Sequence, residues 1–319
     1  MNSEHTEESV FTLDTDLSRP WFSDGNITLI AGDSSFRVFK SILAAHSTFF
    51  RDLFWSASDE GSHGPDGLPI LQLHDDPAEL SCFLRAIFDS SFFNAHPSSP
   101  VPPTTSIVGV LRLSHKYDIR HLRRRALLHA ERLVPTTYAA FRAGGFIGRP
   151  ADTFYLLADV ALEVGAGWLL PAALEAGSRH LHWLREHHRT LSMHIAEHND
   201  VLERCAAGLE AIQQAGHDRL ALFDVADAEC IYLLHNCRRS LQQVKDRYAS
   251  SSMPATGIAW QEIEPELRVC AQCLQIWKER DTQWAVNYWN SLPGVYGLGG
   301  WDRLQRMRDE DLALEEGEE

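Results

Sequence analysis

The spacing of apolar residues changes between residues 27 and 54. In ITLIAGDSSFRVFK (27–40), apolar and polar residues alternate on either side of the turn residues GDSS, and this pattern predicts a β-hairpin. After Lys40 the apolar residues recur every three or four positions, as they do on one face of a helix. Ser47 stands where its hydroxyl can cap the second of two short helices. The pattern therefore predicts a hairpin followed by a pair of helices.

The next segments predict one more strand and then helices. LPILQL (68–73) has the composition of a strand with a proline near its start. DDPAELSCFLRAIFDSSFF (75–93) begins with carboxylates and Pro77, which are typical of a helix entrance. After a loop rich in proline and serine, residues 107–119 and 120–134 carry the apolar period of two further helices. The first third of the chain is thus predicted to be a small sheet with helices.

Four motifs in this part of the chain occur in a fixed order. They are WFxDGNITL, FxVxKxxLAxxSxxFxxLF, DDPAxLxxFLRAIF and LxLxHKYDIxxL. Together they resemble a BTB/POZ domain of the type common in fungal proteins, over about residues 20–135. The motif positions are Asp24, Phe36, Val38, Lys40, Leu43, Ser47, Phe50, Leu53, Phe54, His115, Lys116, Tyr117 and Asp118. The sequence departs from the family at Phe39, where relatives usually have a histidine, so a buried hydrogen bond made by that histidine is expected to be missing.

The resemblance implies an α+β module that binds other proteins. Such domains are often homodimers, in which apolar residues near the first strand and first helices are buried against the partner. For the cluster Phe49, Phe50, Leu53 and Phe54 the alternative is an ordinary core. Some relatives are substrate adaptors of cullin-type ubiquitin ligases and carry an apolar-x-Glu element after the second helix. Here the polar Ser58 stands two residues before Glu60, where that element has an apolar residue, and this argues against the cullin role.

The rest of the chain is predicted to be all-helical. Residues 152–177 have the pattern of two helices broken near Gly165 and Pro171, and residues 198–216 that of a helix ending at Gly216. The stretch 260–301 is rich in tryptophan, which suits a seam between a terminal helix and the rest of the molecule. The predicted organisation is a disordered acidic N-terminus (1–18), a BTB/POZ domain (19–135), a helical C-terminal region (136–305) and a disordered acidic tail (306–319).

Four cysteines of the helical region have spacings that suit a metal. Cys230 and Cys237 form C-x6-C, and Cys270 and Cys273 form the tighter C-x2-C. Four thiolates can close a tetrahedral structural zinc site that joins two helices. The alternative is that the cysteines are core residues. Cys270 falls on an apolar stripe that continues through Leu274, Trp277, Trp284 and Tyr288 and skips Asp281.

Charge and composition limit the functions open to the chain. The formal net charge of −15 argues against a general role in nucleic-acid binding, because that binding depends on clustered cations. Residues 112–132 do hold seven Lys or Arg against two carboxylates, and we interpret them as a solvated helix surface that answers the acidic termini. The chain has no signal-like N-terminus and no apolar run long enough to cross a membrane. We therefore expect a protein of the cytoplasm, the nucleus or both.

An enzyme is the alternative of another class. The sequence lacks GxSxG, GxxxxGK[ST] and HExxH motifs. His194 and His198 stand four residues apart, but no glutamate follows His194. We therefore expect an interaction protein or adaptor that homodimerises through its BTB/POZ domain, with protein partners and one possible structural zinc. A zinc-binding or other enzyme without a recognisable motif remains the alternative.

Overall fold

The structure is a computed structural model that describes residues 20–56, 62–144, 148–191, 200–224, 230, 237–250, 256, 258 and 260–313. Its internal contacts divide the chain into two units, Met1–Phe92 and Phe93–Glu319. The division falls inside the predicted BTB/POZ range 19–135. The boundaries drawn from the sequence at residues 18, 135 and 305 stay predictions.

The first unit contains a three-stranded sheet in the order β2-β1-β3. Strands β1 (Ile27–Ala31) and β2 (Ser34–Val38) form the predicted antiparallel hairpin, with Leu29 opposite Phe36. Strand β3 (Ile70–Leu73) lies parallel to β1 on its other side. The alternation of apolar and polar residues places Leu29 and Phe36 in the core, where both are fully buried.

The described residues of the first unit also form three helices, namely α1 (Lys40–His46), α2 (Thr48–Ser56) and α3 (Pro77–Phe88). Side-chain caps fix where α2 and α3 begin. Ser47 Oγ accepts the N–H of Phe50 at 3.1 Å, as the sequence predicts. Asp76 caps α3 by accepting two backbone N–H groups, with Pro77 as the first helical residue. The predicted order of hairpin, helix pair, strand and helix is confirmed.

The regular elements among the described residues of the second unit are all helices, which confirms the predicted fold class. Its helices are α4 (Thr104–Lys116), α5 (Arg120–Glu131), α6 (Tyr138–Arg142), α7 (Ala151–Glu163), α8 (Leu170–Arg179), α9 (Leu181–Leu191), α10 (Asp200–Ala221), α11 (Cys237–Ala249), α12 (Trp260–Ile263), α13 (Ala271–Val295) and α14 (Trp301–Leu312). Among the described helices, none has the length and apolarity that crossing a bilayer requires.

Helix α13 is the longest element and contributes to two apolar clusters. Trp277 packs with residues of α10 and α11, including Leu220 and Leu241. Further along, Trp289 packs with Phe141 of α6. The pattern predicted a break in this part of the fold at Gly216, but α10 continues to Ala221. Gly216 is buried, so tertiary packing outweighs the low helix propensity of glycine.

The predicted disordered tail is wrong for residues 306–312, because they belong to α14. This helix has an inward face: Leu304 is buried, Arg308 binds Glu131 at 2.6 Å, and Trp301 stacks on Trp289 with ring centroids 4.2 Å apart. The Trp289–Trp301 contact is the seam that the tryptophan-rich stretch predicted. The acidic composition of this segment predicted disorder, although the segment belongs to an amphipathic helix. Residues 314–319 and 1–19 lie outside the described residues.

Candidate metal centre and interaction surface

The four cysteines singled out by spacing come together in the second unit. The Sγ atoms of Cys230, Cys237, Cys270 and Cys273 all lie within 4.8 Å of one another. Cys230 is half-buried and the other three are buried. A zinc ion with four bonds of about 2.3 Å sets its sulfur atoms about 3.8 Å apart, so this arrangement is close to that of an occupied site.

Helix entrances position three of these four thiols. Cys237 is the first residue of α11, Cys270 is the N-cap of α13, and Cys273 lies in the first turn of α13. Cys230 is described outside any helix, so the two cysteines of the C-x6-C pair do not lie on one described helix. The cysteines lie beside the apolar side chain of Val269.

Backbone N–H groups point at two of the sulfur atoms. The N–H of Cys270 donates to Cys237 Sγ at 3.2 Å, and the N–H of Cys273 donates to Cys270 Sγ at 3.5 Å. The second of these bonds lowers the pKa of the Cys270 thiol, whereas burial raises the pKa values of Cys237 and Cys273. Burial therefore disfavours the thiolate forms of Cys237 and Cys273. A divalent cation would supply the positive charge that they lack, and the donor set fits zinc.

The first unit carries aromatic side chains on its surface. Trp55 of α2 is 91% exposed, and Phe49 of the same helix is 45% exposed. Each lies three residues from Asp52, so the three side chains follow one slanted ridge of α2. Aromatic residues are enriched at protein–protein interfaces relative to the rest of the protein surface.

The neighbours of these aromatic residues belong to the core. Phe50 is fully buried, and Leu53 and Phe54 are half-buried. The cluster predicted from the sequence is therefore partly core and partly surface. Of the remaining motif positions in this unit, the buried ones are Phe36, Val38, Leu43 and Ser47, while Lys40 is half-buried and Asp24 is exposed.

The HKYD motif forms the end of α4. Tyr117 is buried, whereas His115, Lys116 and Asp118 are exposed. Asp118 has a φ of 53°, the left-handed conformation that commonly ends a helix. The motif thus combines a helix stop with one core side chain.

The basic segment is only partly the solvated surface that the sequence predicted. Arg123 and Arg124 of α5 are half-buried. Arg123 binds Asp311 at 2.6 Å, and Arg124 Nε donates to the backbone carbonyl of Leu312 at 2.8 Å. Asp311 also accepts the indole N–H of Trp168 at 2.8 Å. These arginines therefore bind the acidic C-terminal segment through an ion pair and a hydrogen bond to α14.

Sequence reasoning missed a buried charge in α13. Asp281, the position skipped by the apolar stripe, is fully buried and binds Arg219 at 2.8 Å and Arg142 at 2.9 Å. A second buried carboxylate, Glu175, binds Arg179 and accepts the hydroxyl of Tyr288 at 2.6 Å. A lone acidic residue interrupting an apolar stripe was the available signal. The pair His194 and His198 lies outside the described residues.

The chain thus combines a small mixed sheet-and-helix unit, a helical region and a cluster of four cysteines. Residues 21–129 match the family model of the BTB/POZ domain, as the motifs indicated. No curated protein and no solved structure matches the chain. The chain therefore carries an N-terminal BTB/POZ domain, which is a protein–protein interaction module, followed by a helical region.

Proposed function

We propose that the protein acts as an adaptor that assembles through its BTB/POZ domain, with a second copy of itself as the first partner. The exposed pair Phe49 and Trp55 supports this proposal, because a tryptophan that is 91% exposed leaves a large apolar area in water. Both residues fall within the range that matches the BTB/POZ family.

A two-fold dimer would use this ridge twice. In an isologous interface the same patch of both subunits is buried, so each substitution removes two contacts. An aromatic side chain buries about 150–250 Å² and often contributes 2 kcal/mol or more to binding. Two such contacts amount to about 4 kcal/mol, so replacing Trp55 by glutamate would weaken the dimer by about 1,000-fold.

Light scattering of the full chain at micromolar concentration tests the dimer. We expect a mass of twice 36.0 kDa for the natural chain and a shift toward the monomer for Trp55→Glu. Trp183→Glu is the matched control, because Trp183 is also exposed but lies in the second unit. A natural chain that is strictly monomeric refutes the proposal, and a Trp55→Glu variant that remains fully dimeric removes α2 from the interface.

We also propose that Cys230, Cys237, Cys270 and Cys273 hold one structural zinc ion. The support is the gathering of four Sγ atoms within 4.8 Å of one another, three of them from residues at the entrances of α11 and α13. A metal there would join two chain segments that are far apart in sequence, and structural zinc typically contributes about 10–16 kcal/mol to the folding of small zinc domains.

Metal analysis of protein purified without added zinc tests this centre. We expect about one equivalent per chain, falling below half an equivalent in Cys237→Ser. Cys205→Ser is the matched control, because Cys205 is buried but lies outside the cluster. Less than half an equivalent in the natural chain refutes the zinc centre.

The cullin-adaptor role is an alternative for the same domain. The stretch with Ser58 and Glu60 that bears on it lies outside the described residues. Capture of a cullin by the full chain from a cell extract, lost in Trp55→Glu, would favour that role over simple self-assembly.

A further inference from the structure

A cleft of about 570 Å³ opens beside α11 in the second unit. One wall is α11 and the other is the segment that leads into α13. The lining residues are Arg239, Ser240, Gln243, Val244, Arg247, Pro265, Glu266 and Arg268. Its volume is within the range of small-ligand pockets, about 300–1,000 Å³.

The cleft is positively charged in a protein that is acidic as a whole. Three arginines and one glutamate line it. Arg247 is neutralised by Glu266, whose carboxylate lies 2.7 Å away. Arg239 and Arg268 make no ion pair within the described part of the chain, so their two positive charges are uncompensated there.

The walls of the cleft are held by hydrogen bonds and by the core. The backbone N–H of Arg268 donates to Ser240 Oγ at 2.9 Å, which fastens one wall to the other. Ser240 and Val244 are buried, and Val244 packs in the cluster that contains Trp277. The two free guanidinium groups therefore project from backbone that is already fixed, which lowers the entropic cost of binding a ligand.

We propose that this cleft binds a phosphorylated serine or threonine side chain of a partner polypeptide. A phosphoryl group carries a charge of about −1.5 to −2 at neutral pH, which two uncompensated guanidinium groups match. Arginine offers paired N–H donors to phosphate oxygens, and arginine clusters are a recurring means of phosphopeptide recognition. A nucleic acid is a poorer fit, because the net charge of −15 repels a long polyanion. The inference is independent of the dimer and of the zinc centre.

Fluorescence anisotropy of the full chain tests the proposal at about 0.15 M ionic strength. The probe is a labelled peptide of glycine and serine that carries a single phosphoserine. Its unphosphorylated form, a form with glutamate in place of phosphoserine, and a single-stranded DNA are the comparison probes. We expect the phosphopeptide to bind about tenfold or more tightly than each of them, because only it presents a compact dianion.

The double variant Arg239→Gln, Arg268→Gln should weaken phosphopeptide binding by about tenfold or more. The matched control is Arg303→Gln, Arg306→Gln, which removes the same charge from exposed positions on α14 and should change the affinity by less than about twofold. The Arg239→Lys, Arg268→Lys variant keeps the charge and is a control that distinguishes a loss of binding from a loss of folding. It should bind with intermediate affinity, because lysine cannot donate in a bidentate manner.

Several outcomes would overturn the proposal. They are the absence of phosphopeptide binding, equal losses in the two glutamine variants, and equally tight binding of DNA. Another is a fall in bound zinc in the Arg239→Gln, Arg268→Gln variant without a change in peptide affinity, since the arginines would then serve the thiol cluster instead.

Discussion

Replacing Asp281 with alanine should destabilise the helical region strongly. The carboxylate is fully buried at the middle of α13 and is shared by Arg219 of α10 and Arg142 of α6. Arg219 also donates to the carbonyl of Ile258 at 2.6 Å and lies over the ring of Trp284. Asp281 therefore joins three helices, and through Arg219 it also fixes the segment around residue 258.

The magnitude follows from what the substitution leaves behind. The Arg219 side chain is 3% exposed, so it cannot recover its lost partner by binding water. Removing one partner of a buried ion pair costs about 3–5 kcal/mol. That loss is a large part of the roughly 5–15 kcal/mol by which folded proteins are stable. Asp281→Asn keeps the volume and part of the hydrogen bonding and should cost less, about 1–3 kcal/mol.

Urea unfolding followed by circular dichroism measures the loss. The control is Asp200→Ala, which breaks a partly exposed pair with Arg204 on a single helix and should cost about 0.3–0.5 kcal/mol. The pair Asp281→Leu with Arg219→Met should regain most of the stability, because apolar residues can replace a buried ion pair. A loss in Asp281→Ala no larger than that of the Asp200 control would refute this reasoning.

Three further predictions concern single positions. Burial, followed by the charge of Arg132, lowers the pKa of His129 from 6.5 to about 4. The unfolded chain therefore takes up a proton at higher pH than the folded one, and the stability present above about pH 6.5 should fall by about 3 kcal/mol as the pH drops toward 4. Thermal melts of His129→Leu should lack that part of the pH dependence. A melting temperature that depends on pH as steeply in the variant as in the natural chain contradicts the prediction. Asp118→Gly should preserve the melting temperature, whereas Asp118→Val should cost about 1–2 kcal/mol because its φ is 53°; equal melting of the two variants argues against backbone strain. Asp311→Ala should lower the free energy of unfolding by about 1–3 kcal/mol and speed amide hydrogen exchange in α14. Asp309→Ala, at an exposed position, should do neither. The same exchange rates in both variants would show that Asp311 does not anchor α14.

Features that depend on neighbours in sequence were predictable. The hairpin, the Ser47 cap and the start of α3 at Pro77 each rest on chemistry within a few residues. The motifs of the BTB/POZ domain are likewise local, and their order was enough to identify the domain that residues 21–129 match. Such features survive folding because no distant contact has to override them.

Features that depend on distant partners were not predictable from pattern alone. The apolar stripe of α13 is interrupted at Asp281, and an acidic residue in a sequence normally indicates a position that faces solvent. Asp281 is nevertheless buried, because two arginines from other helices compensate its charge. The acidic composition of the tail predicts disorder, although Asp311 of the tail pairs with Arg123 of α5 and Arg308 of the tail pairs with Glu131 of α5. The cysteine spacing singles out four residues whose sulfur atoms lie together, but it does not indicate that three of them lie at the entrances of α11 and α13.

The polar contacts of α13 explain how an uninterrupted helix of 25 residues acquires a single position among its neighbours. Apolar side chains can slide past one another at a small cost, because dispersion and hydrophobic contacts have little directionality. Asp281 and Tyr288 are seven residues apart and lie on the same face, and each has its own partner, Arg219 on α10 and Glu175 on α8. A shift of α13 by one turn would separate both partners at once and leave buried charges unpaired. The buried polar groups therefore fix the register of α13, while the apolar clusters supply most of its binding energy.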